Sequence, residues 1–205
     1  MPDLLPLFVT LAGRLVVLVG GGRVAAAKLR PLVATGAHVR VVAPEVHDEI
    51  ERSGVSIARR PFEPADLDGA WLVVAAATPE VNREVARAAG ERRIFVNAVD
   101  DPANATAYLG GVVRRDGVTI AVSTSGVAPG LAGLLREALD AVLPADLGEW
   151  VSEARRRRAD WRRDAVPMER RRPLLLDALN RLYQAPAQNS LEPYVAGGSR
   201  GAENE

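Results

Sequence analysis

The sequence predicts an α/β protein with a Rossmann-like parallel sheet, followed by a small α+β region and a C-terminal helical region. Continuous apolar runs at 14–19, 71–76 and 94–99 are typical of parallel strands buried on both faces. Amphipathic helical segments alternate with these runs, as in doubly wound sheets with right-handed crossovers. The first run also ends in a glycine cluster that leads directly into a helix-forming segment.

The glycine cluster has the spacing Gly20-x-Gly22-x-x-Ala25 of dinucleotide-binding βαβ units. We expect Gly20 to turn the chain off the strand, Gly22 to leave room for a pyrophosphate and Ala25 to let the helix pack closely. The helix start offers free N–H groups and a positive dipole end to phosphates. A helix stop at Gly36 and a strand at 38–43 supply the context that the motif needs. The alternative is a tight strand–helix turn without a ligand.

The other elements follow in order along the chain. Residues 1–13 form a lead-in whose apolar side chains we expect to pack under the sheet, namely Leu4, Leu5, Leu7 and Phe8. The hydrophobic periodicity then predicts helix 23–35, strand 38–43, a short strand 55–58, strand 71–76, helix 79–92, strand 94–99, a hairpin of 108–113 and 118–123, and helices 129–143, 146–163 and 168–183.

The second half departs from a plain nucleotide-binding fold. The Asp116-Gly117 pair predicts the hairpin turn. The hairpin and the helix after it cannot bury both faces on the first domain, so we expect a homodimer interface there, with packing against the sheet edge as the alternative. We therefore predict these regions: an NAD-binding Rossmann-like domain 1–107, a dimerisation region 108–145, a C-terminal helical region 146–184 and a disordered tail 185–205.

Composition argues against several classes of protein. The formal net charge is zero, which argues against nucleic acid as a partner. There is no cysteine and there are only two histidines, so we expect no bound metal. No apolar stretch is long enough for a membrane span, and no positively charged segment precedes the apolar start, so we expect a cytoplasmic protein without a membrane partner.

Candidate cofactor-binding residues lie where ligands bind in open α/β sheets, at the carboxyl ends of the strands. After the second strand, Glu45 is the acid placed to accept from the ribose hydroxyls, although a charge at a helix N-terminus is an equal alternative. Because no arginine clearly replaces the acid, we favour NAD over NADP. Thr78, after the fourth strand, is expected to cap a helix and to leave room for the nicotinamide ribose. The predicted cofactor contacts are Gly20, Gly21, Gly22, Arg23, Val24, Ala43, Pro44, Glu45 and Thr78.

Candidate catalytic residues follow the fifth strand. Asp100 and Asp101 lie at the expected mouth of the cleft, where a carboxylate can act as a general base while hydride leaves to NAD. Asp-Asp-Pro is also a common turn, and one of the two acids can serve only that turn.

Two polar regions could contact a substrate. The hydroxyls of Ser123, Thr124 and Ser125 precede a helix start and suit a carboxylate or phosphate, or else form an N-cap cluster. The arginine-rich C-terminal helices are either a solvated surface or bidentate forks for a polycarboxylate.

Together these residues resemble the precorrin-2 dehydrogenase/sirohydrochlorin ferrochelatase family, the N-terminal module of siroheme synthase. The match covers residues 4 to about 145. The segments that carry it are Leu5-Pro6-Leu7-Phe8, Val19 to Lys28, Val41-Val42-Ala43-Pro44, Ala76-Ala77-Thr78 with Asn82, Val96 to Pro102, and Ile120 to Gly126 with Pro129.

The resemblance implies a homodimer that oxidises precorrin-2 to sirohydrochlorin with NAD, with or without insertion of Fe²⁺ as a substrate afterwards. It places the family's catalytic aspartate on Asp100. The chain departs from the family pattern at 103–111, at Ser125, where glycine is common, and at Ala128, where serine is common. Two other functions stay open: a nucleotide-sensing module without catalysis, and a chelatase without redox activity.

Overall fold

A computed structural model of the chain describes residues 3–184, with side chains to residue 181. The tail predicted at 185–205 lies outside the described residues. The chain divides into two compact units: Met1–Val112 with Ala121–Ala138, and Val113–Ile120 with Leu139–Glu205.

The first unit is built on a five-stranded parallel sheet. Its strands are β1 Leu15–Val19, β2 His38–Val42, β3 Ser56–Ala58, β4 Leu72–Ala75 and β5 Phe95–Ala98. The spatial order is β3-β2-β1-β4-β5, with Leu15 beside His38, Val16 beside Leu72 and Val74 beside Asn97. The order reverses between β1 and β4, so a crevice opens at their carboxyl ends. The Rossmann-like fold class predicted from the sequence is confirmed.

Helices cover both faces of this sheet. They are α1 Arg23–Val33, the short α2 Asp48–Glu51, and α3 Pro79–Arg92. Val16 and Leu18 pack with α1 on one face, whereas Val17 and Val73 pack with α3 on the other. All four side chains are fully buried, which explains why the strands are apolar without alternation. Burying each such side chain contributes about 1.5–3 kcal/mol to stability.

The lead-in does not pack as predicted. Its large apolar side chains are exposed: Leu4 41%, Leu5 78%, Leu7 64% and Phe8 73%. Among residues 3–13, only Leu11 joins the core on the α1 face. The prediction that these side chains pack under the sheet was wrong. That face of the sheet is already covered by α1, so no surface remains to bury them.

A buried carboxylate organises the connection from β3 to β4. Asp66, 4% exposed, lies in a 3-10 turn at 64–67 and receives hydrogen bonds from Arg60 at 2.6 and 2.9 Å and from the Glu63 amide at 2.9 Å. Burial alone would raise the pKa of Asp66, but these hydrogen bonds and the charges of Arg60 and Arg40 together hold that pKa below its ordinary value.

The predicted hairpin is present as β6 Gly111–Arg115 and β7 Val118–Val122. Asp116 and Gly117 both have positive φ, 49° and 86°, as a type I′ turn requires. Helix α4, Pro129–Val142, follows.

The second unit contains α5 Leu147–Arg163 and α6 Met168–Gln184, which pack on each other. Its buried residues include Leu147, Trp161 and Ala178. Glu153, also buried, accepts hydrogen bonds from Arg156 and Arg157. Four further arginines of α5 are exposed, namely Arg155, Arg158, Arg162 and Arg163. No helix among the described residues is long and apolar enough to cross a membrane.

Candidate active site

Gly20 forms the sharp turn at the end of β1. Its φ is +120°, and a Cβ atom there would overlap the carbonyl oxygen of Ala76. The Gly20 amide donates to Val42 at 3.0 Å, and the Ala76 amide donates to Val19 at 2.8 Å. The turn is therefore held between the ends of β2 and β4, and only glycine fits at this position.

Gly21 is a contact point between two loops. A Cβ atom on Gly21 would overlap the carbonyl oxygen of Glu45, and the His47 amide donates to the Gly21 carbonyl at 2.7 Å. The corner after β2 thus packs directly on the glycine turn. Helix α2 begins only at Asp48, with His47 as its N-cap, so the alternative of Glu45 as a charge at a helix N-terminus is wrong.

Gly22 faces open space. A Cβ atom on Gly22 would meet nothing within 4 Å. The first helical bond of α1 runs from the Ala26 amide to the Gly22 carbonyl at 3.0 Å, so the amides of Arg23 and Val24 precede it at the helix N-terminus. Open space in front of free amides and a positive dipole end fits the pyrophosphate of a dinucleotide.

The other predicted cofactor contacts lie around this turn. Ala43 is 4% exposed, so its side chain is part of the core, whereas Pro44 and Glu45 are exposed. Thr78 occupies the N-cap position of α3, but its hydroxyl makes no capping bond to the backbone. The hydroxyl bonds the Glu80 carboxylate instead, and the Glu80 backbone amide and Thr78 together lower the pKa of Glu80.

A cleft of about 470 Å³ lies beside the glycine turn. It is bounded by the start of α1, the end of β4, the first turns of α3 and the end of β5. Its lining residues are Val24, Ala76, Ala77, Pro79, Asn82, Arg83, Val99, Asp100 and Asp101. Of the predicted site residues, the structure thus brings Val24, Asp100 and Asp101 together in this cleft.

The two aspartates of the cleft differ in their surroundings. Asp101 accepts a 2.7 Å hydrogen bond from the Asn104 side chain and serves the turn. Asp100 is exposed, and no residue among 3–181 binds its carboxylate. Its φ is +57°, a left-handed conformation that costs an aspartate about 1 kcal/mol. A strained residue with an unoccupied carboxylate in a cleft is a candidate for function.

The Ser/Thr loop packs on the segment that follows these aspartates. A Cβ atom on Gly126 would lie 3.1 Å from Pro102 and 3.2 Å from Tyr108. The Ser123 hydroxyl accepts from the Ser125 amide at 3.1 Å, and the Thr124 hydroxyl accepts from the Ala128 amide at 3.3 Å. Both hydroxyls therefore accept hydrogen bonds within the loop and keep their own protons for donation. Ser125 has φ +55°, which explains why glycine suits this position.

Residues 7–111, just over half of the chain, match the model of a family described as putative NAD(P)-binding. The chain belongs to this putative NAD(P)-binding family. The prediction of a dinucleotide cofactor is thereby confirmed.

Several relatives of this NAD(P)-binding chain are siroheme synthases. The chain is 39% identical over 183 residues to the siroheme synthase of Photorhabdus laumondii, covering 87% of this chain and 39% of the relative. It is 37% identical over 209 aligned positions to that of Pseudomonas aeruginosa, covering 96% of this chain and 45% of the relative. The chain thus spans less than half the length of these relatives.

The fold is shared with a solved structure, "SirC, precorrin-2 dehydrogenase". The TM-score is 0.66 at 24% identity, covering 85% of this chain and 88% of that one. This likeness extends beyond the residues that the NAD(P)-binding family model matches.

Two buried amides of the NAD(P)-binding unit were not predicted as site residues. Asn82, 4% exposed, lines the cleft and accepts from the Ala77 amide at 3.0 Å. Asn97, 7% exposed, donates to the Ala107 carbonyl at 3.0 Å, and its Oδ1 is buried without a partner in the described part of the chain. An asparagine on the apolar face of a helix or within an apolar strand is the sequence signal that could have indicated both.

Proposed function

We propose that this protein oxidises precorrin-2 to sirohydrochlorin with NAD, as a step of siroheme biosynthesis. The observation that carries the proposal is the free carboxylate of Asp100 in the cleft beside the glycine turn, a cleft that Val24 at the start of α1 also lines. The similarity to siroheme synthases supports the substrate class. The shared fold with a precorrin-2 dehydrogenase is consistent with it.

We assign the cofactor-binding roles to these residues. Bound NAD would supply the hydride acceptor. The turn Gly20–Gly22 and the amides of Arg23 and Val24 would bind its pyrophosphate, and Glu45 would accept from the adenosine ribose. Since Glu45 follows β2 and no arginine clearly replaces it in the sequence there, NAD is favoured over NADP. Thr78, at the start of α3, would lie beside the nicotinamide ribose.

Asp100 would act as the general base. The oxidation removes one hydride and one proton from the tetrapyrrole, and the carboxylate of Asp100 would take the proton while the hydride leaves. A carboxylate without internal partners is free to accept it. Ser123, Thr124 and Ser125 would donate hydrogen bonds to substrate carboxylates from their loop on the segment after Asp101.

The assembly would be a cytoplasmic homodimer. Leu131, Leu134 and Leu135 of α4 are 50%, 66% and 43% exposed and lie on one helical face. Three exposed leucines in one stripe favour an interface with a second copy.

The test is the absorbance of the purified protein with precorrin-2, with and without NAD, under anaerobic conditions. NAD-dependent formation of sirohydrochlorin and NADH is the expected result. If authentic substrate gives no NAD-dependent change, the dehydrogenase proposal fails in favour of a nucleotide sensor or a chelatase without redox activity. Adding Fe²⁺ or Co²⁺ afterwards tests metal insertion against a protein-free control. No three His, Cys, Asp or Glu side chains in the described part of the chain form a metal-binding group, so the metal would enter as substrate.

A further inference from the structure

Asn82 is a buried side chain whose orientation is fixed from one side. It lies in the first turns of α3 and is 4% exposed. Its Oδ1 accepts from the Ala77 amide at 3.0 Å, which ties the end of β4 to α3. Because Oδ1 must face that N–H donor, the Nδ2 group must point the other way.

The Nδ2 group of Asn82 has two protons to donate and no internal acceptor. None of the residues described by the structure accepts a hydrogen bond from it. The Nδ2 atom also reaches solvent. Among the described residues, Asn97 Oδ1 is the side-chain atom that is both fully buried and unpaired, so the unpaired Nδ2 of Asn82 is not fully buried. Asn82 lines the cleft that holds Asp100. A buried amide that offers only donors to a cleft selects an oxygen acceptor on the ligand.

Arg83 adds a positive charge next to this donor. It also lines the cleft, and its contact with Glu80 is a weak, exposed pair at 3.3 Å. Both residues lie in a 14-residue helix, as its fourth and fifth residues, one turn after Glu80. Asp100 and Asp101 give the same cleft two negative charges. The cleft therefore has a donor part at α3, suited to an anionic acceptor, distinct from the carboxylates after β5.

We propose that Asn82 and Arg83 form a subsite that binds one carboxylate of the substrate and so orients the macrocycle towards Asp100. The subsite deepens the proposed function and rests on it for the identity of the substrate. A carboxylate suits the pair better than the neutral carboxamide of the cofactor, because the guanidinium of Arg83 favours a negative charge.

The variant Asn82→Asp separates the two hydrogen-bonding roles of Asn82, donation by Nδ2 into the cleft and acceptance by Oδ1 from the Ala77 amide. An aspartate keeps an oxygen to accept from Ala77 but loses both Nδ2 protons. Arg83→Gln removes the positive charge and leaves the hydrogen bond between the Ala77 amide and Asn82 unchanged. Arg87→Gln is the matched control, since Arg87 is one turn further along α3, is 62% exposed and pairs with Glu91.

The measurement is the Kd of sirohydrochlorin by fluorescence quenching without NAD, together with the Kd of NAD for each protein. We expect Asn82→Asp and Arg83→Gln each to weaken sirohydrochlorin binding by about 10-fold or more, with NAD binding changed less than about twofold. Arg87→Gln should leave both unchanged.

Three results would overturn the subsite: unchanged sirohydrochlorin affinity in Arg83→Gln, weakened affinity for NAD instead, or no sirohydrochlorin binding by the wild-type chain. Circular dichroism shows whether Asn82→Asp folds, and Arg83→Gln decides the matter if it does not. If the wild-type protein binds sirohydrochlorin but does not oxidise precorrin-2 with NAD, the proposed function is wrong and the subsite is not contradicted.

Discussion

The side chain of Asn104 donates a 2.7 Å hydrogen bond to the carboxylate of Asp101. This bond occupies Asp101 within its own turn, whereas Asp100 beside it keeps a free carboxylate. Two adjacent residues of the same type therefore have different chemistry, and substitution can separate them.

Asp100→Asn should lose oxidation and keep NAD binding. Removing the proposed general base should lower kcat/KM for precorrin-2 by about 100-fold or more, because an amide cannot take the proton. NADH formation at 340 nm measures the rate, and NAD titration measures the Kd. The control is Asp101→Asn, which should retain activity within about 10-fold and lose about 1 kcal/mol of stability. Full turnover by Asp100→Asn would contradict the assignment.

Neighbouring glycines should separate folding from cofactor binding. Gly22→Ala adds a methyl group to the open space in front of α1, so we expect at least about 10-fold weaker NAD binding with less than about 1 kcal/mol lost in unfolding free energy. Gly21→Ala would drive the same group into the Glu45 carbonyl, so we expect it to destabilise the fold by about 3 kcal/mol or more. Urea unfolding and NAD titration of both variants check this pair. Equal loss of stability in the two would argue against it.

Ser125→Gly should stabilise the protein. Ser125 has φ +55°, and relieving a left-handed conformation of a residue with a Cβ gains about 1 kcal/mol. Ser125→Ala keeps the Cβ and should show no gain. Midpoints of urea unfolding at constant m-value distinguish the two variants, and a gain in Ser125→Ala would show that strain is not the cause.

Asp66 should make stability depend on acidic pH. Its pKa in the folded protein lies below the ordinary value of 3.8, so its contribution is complete above that pH and is lost as the pH falls through the folded-state value. Asp66→Asn should cost about 2 kcal/mol at pH 7, where Arg60 loses its charged partner. The difference in unfolding free energy between wild type and variant should shrink below about pH 4. A constant difference from pH 7 to pH 2 would be inconsistent with the ion pair.

Leu134→Glu should break the proposed dimer. Leu134 is 66% exposed in the single chain, so the substitution should change monomer stability by less than about 0.5 kcal/mol. Sedimentation should shift from twice the chain mass to 21.9 kDa. Ala138→Glu, at an exposed position further along the same helix, tests how far the interface extends. A wild-type chain that sediments as a monomer at micromolar concentration would refute the homodimer.

The sequence was sufficient for the sheet and for the glycine turn. The apolar run at 71–76 predicted a buried parallel strand, and Leu72–Ala75 forms one, although Trp71 is 46% exposed. The Gly20-x-Gly22 spacing after a strand indicated a dinucleotide turn. Both signals are local along the chain. Local sequence gave a wrong prediction for the lead-in at 1–13, where apolar residues were expected to be buried but Phe8 is 73% exposed. Whether an apolar side chain is buried depends on whether a surface remains to receive it, which local sequence does not record.

By itself the sequence determined the order of strands and helices, the dinucleotide turn and the two aspartates after β5. The tertiary structure alone decided which aspartate keeps a free carboxylate, that Gly21 is needed for contact with Glu45, and that Asn82 presents its amide to the cleft. Each of these depends on atoms that are distant along the chain or on a single dihedral angle, and only folding brings them into contact.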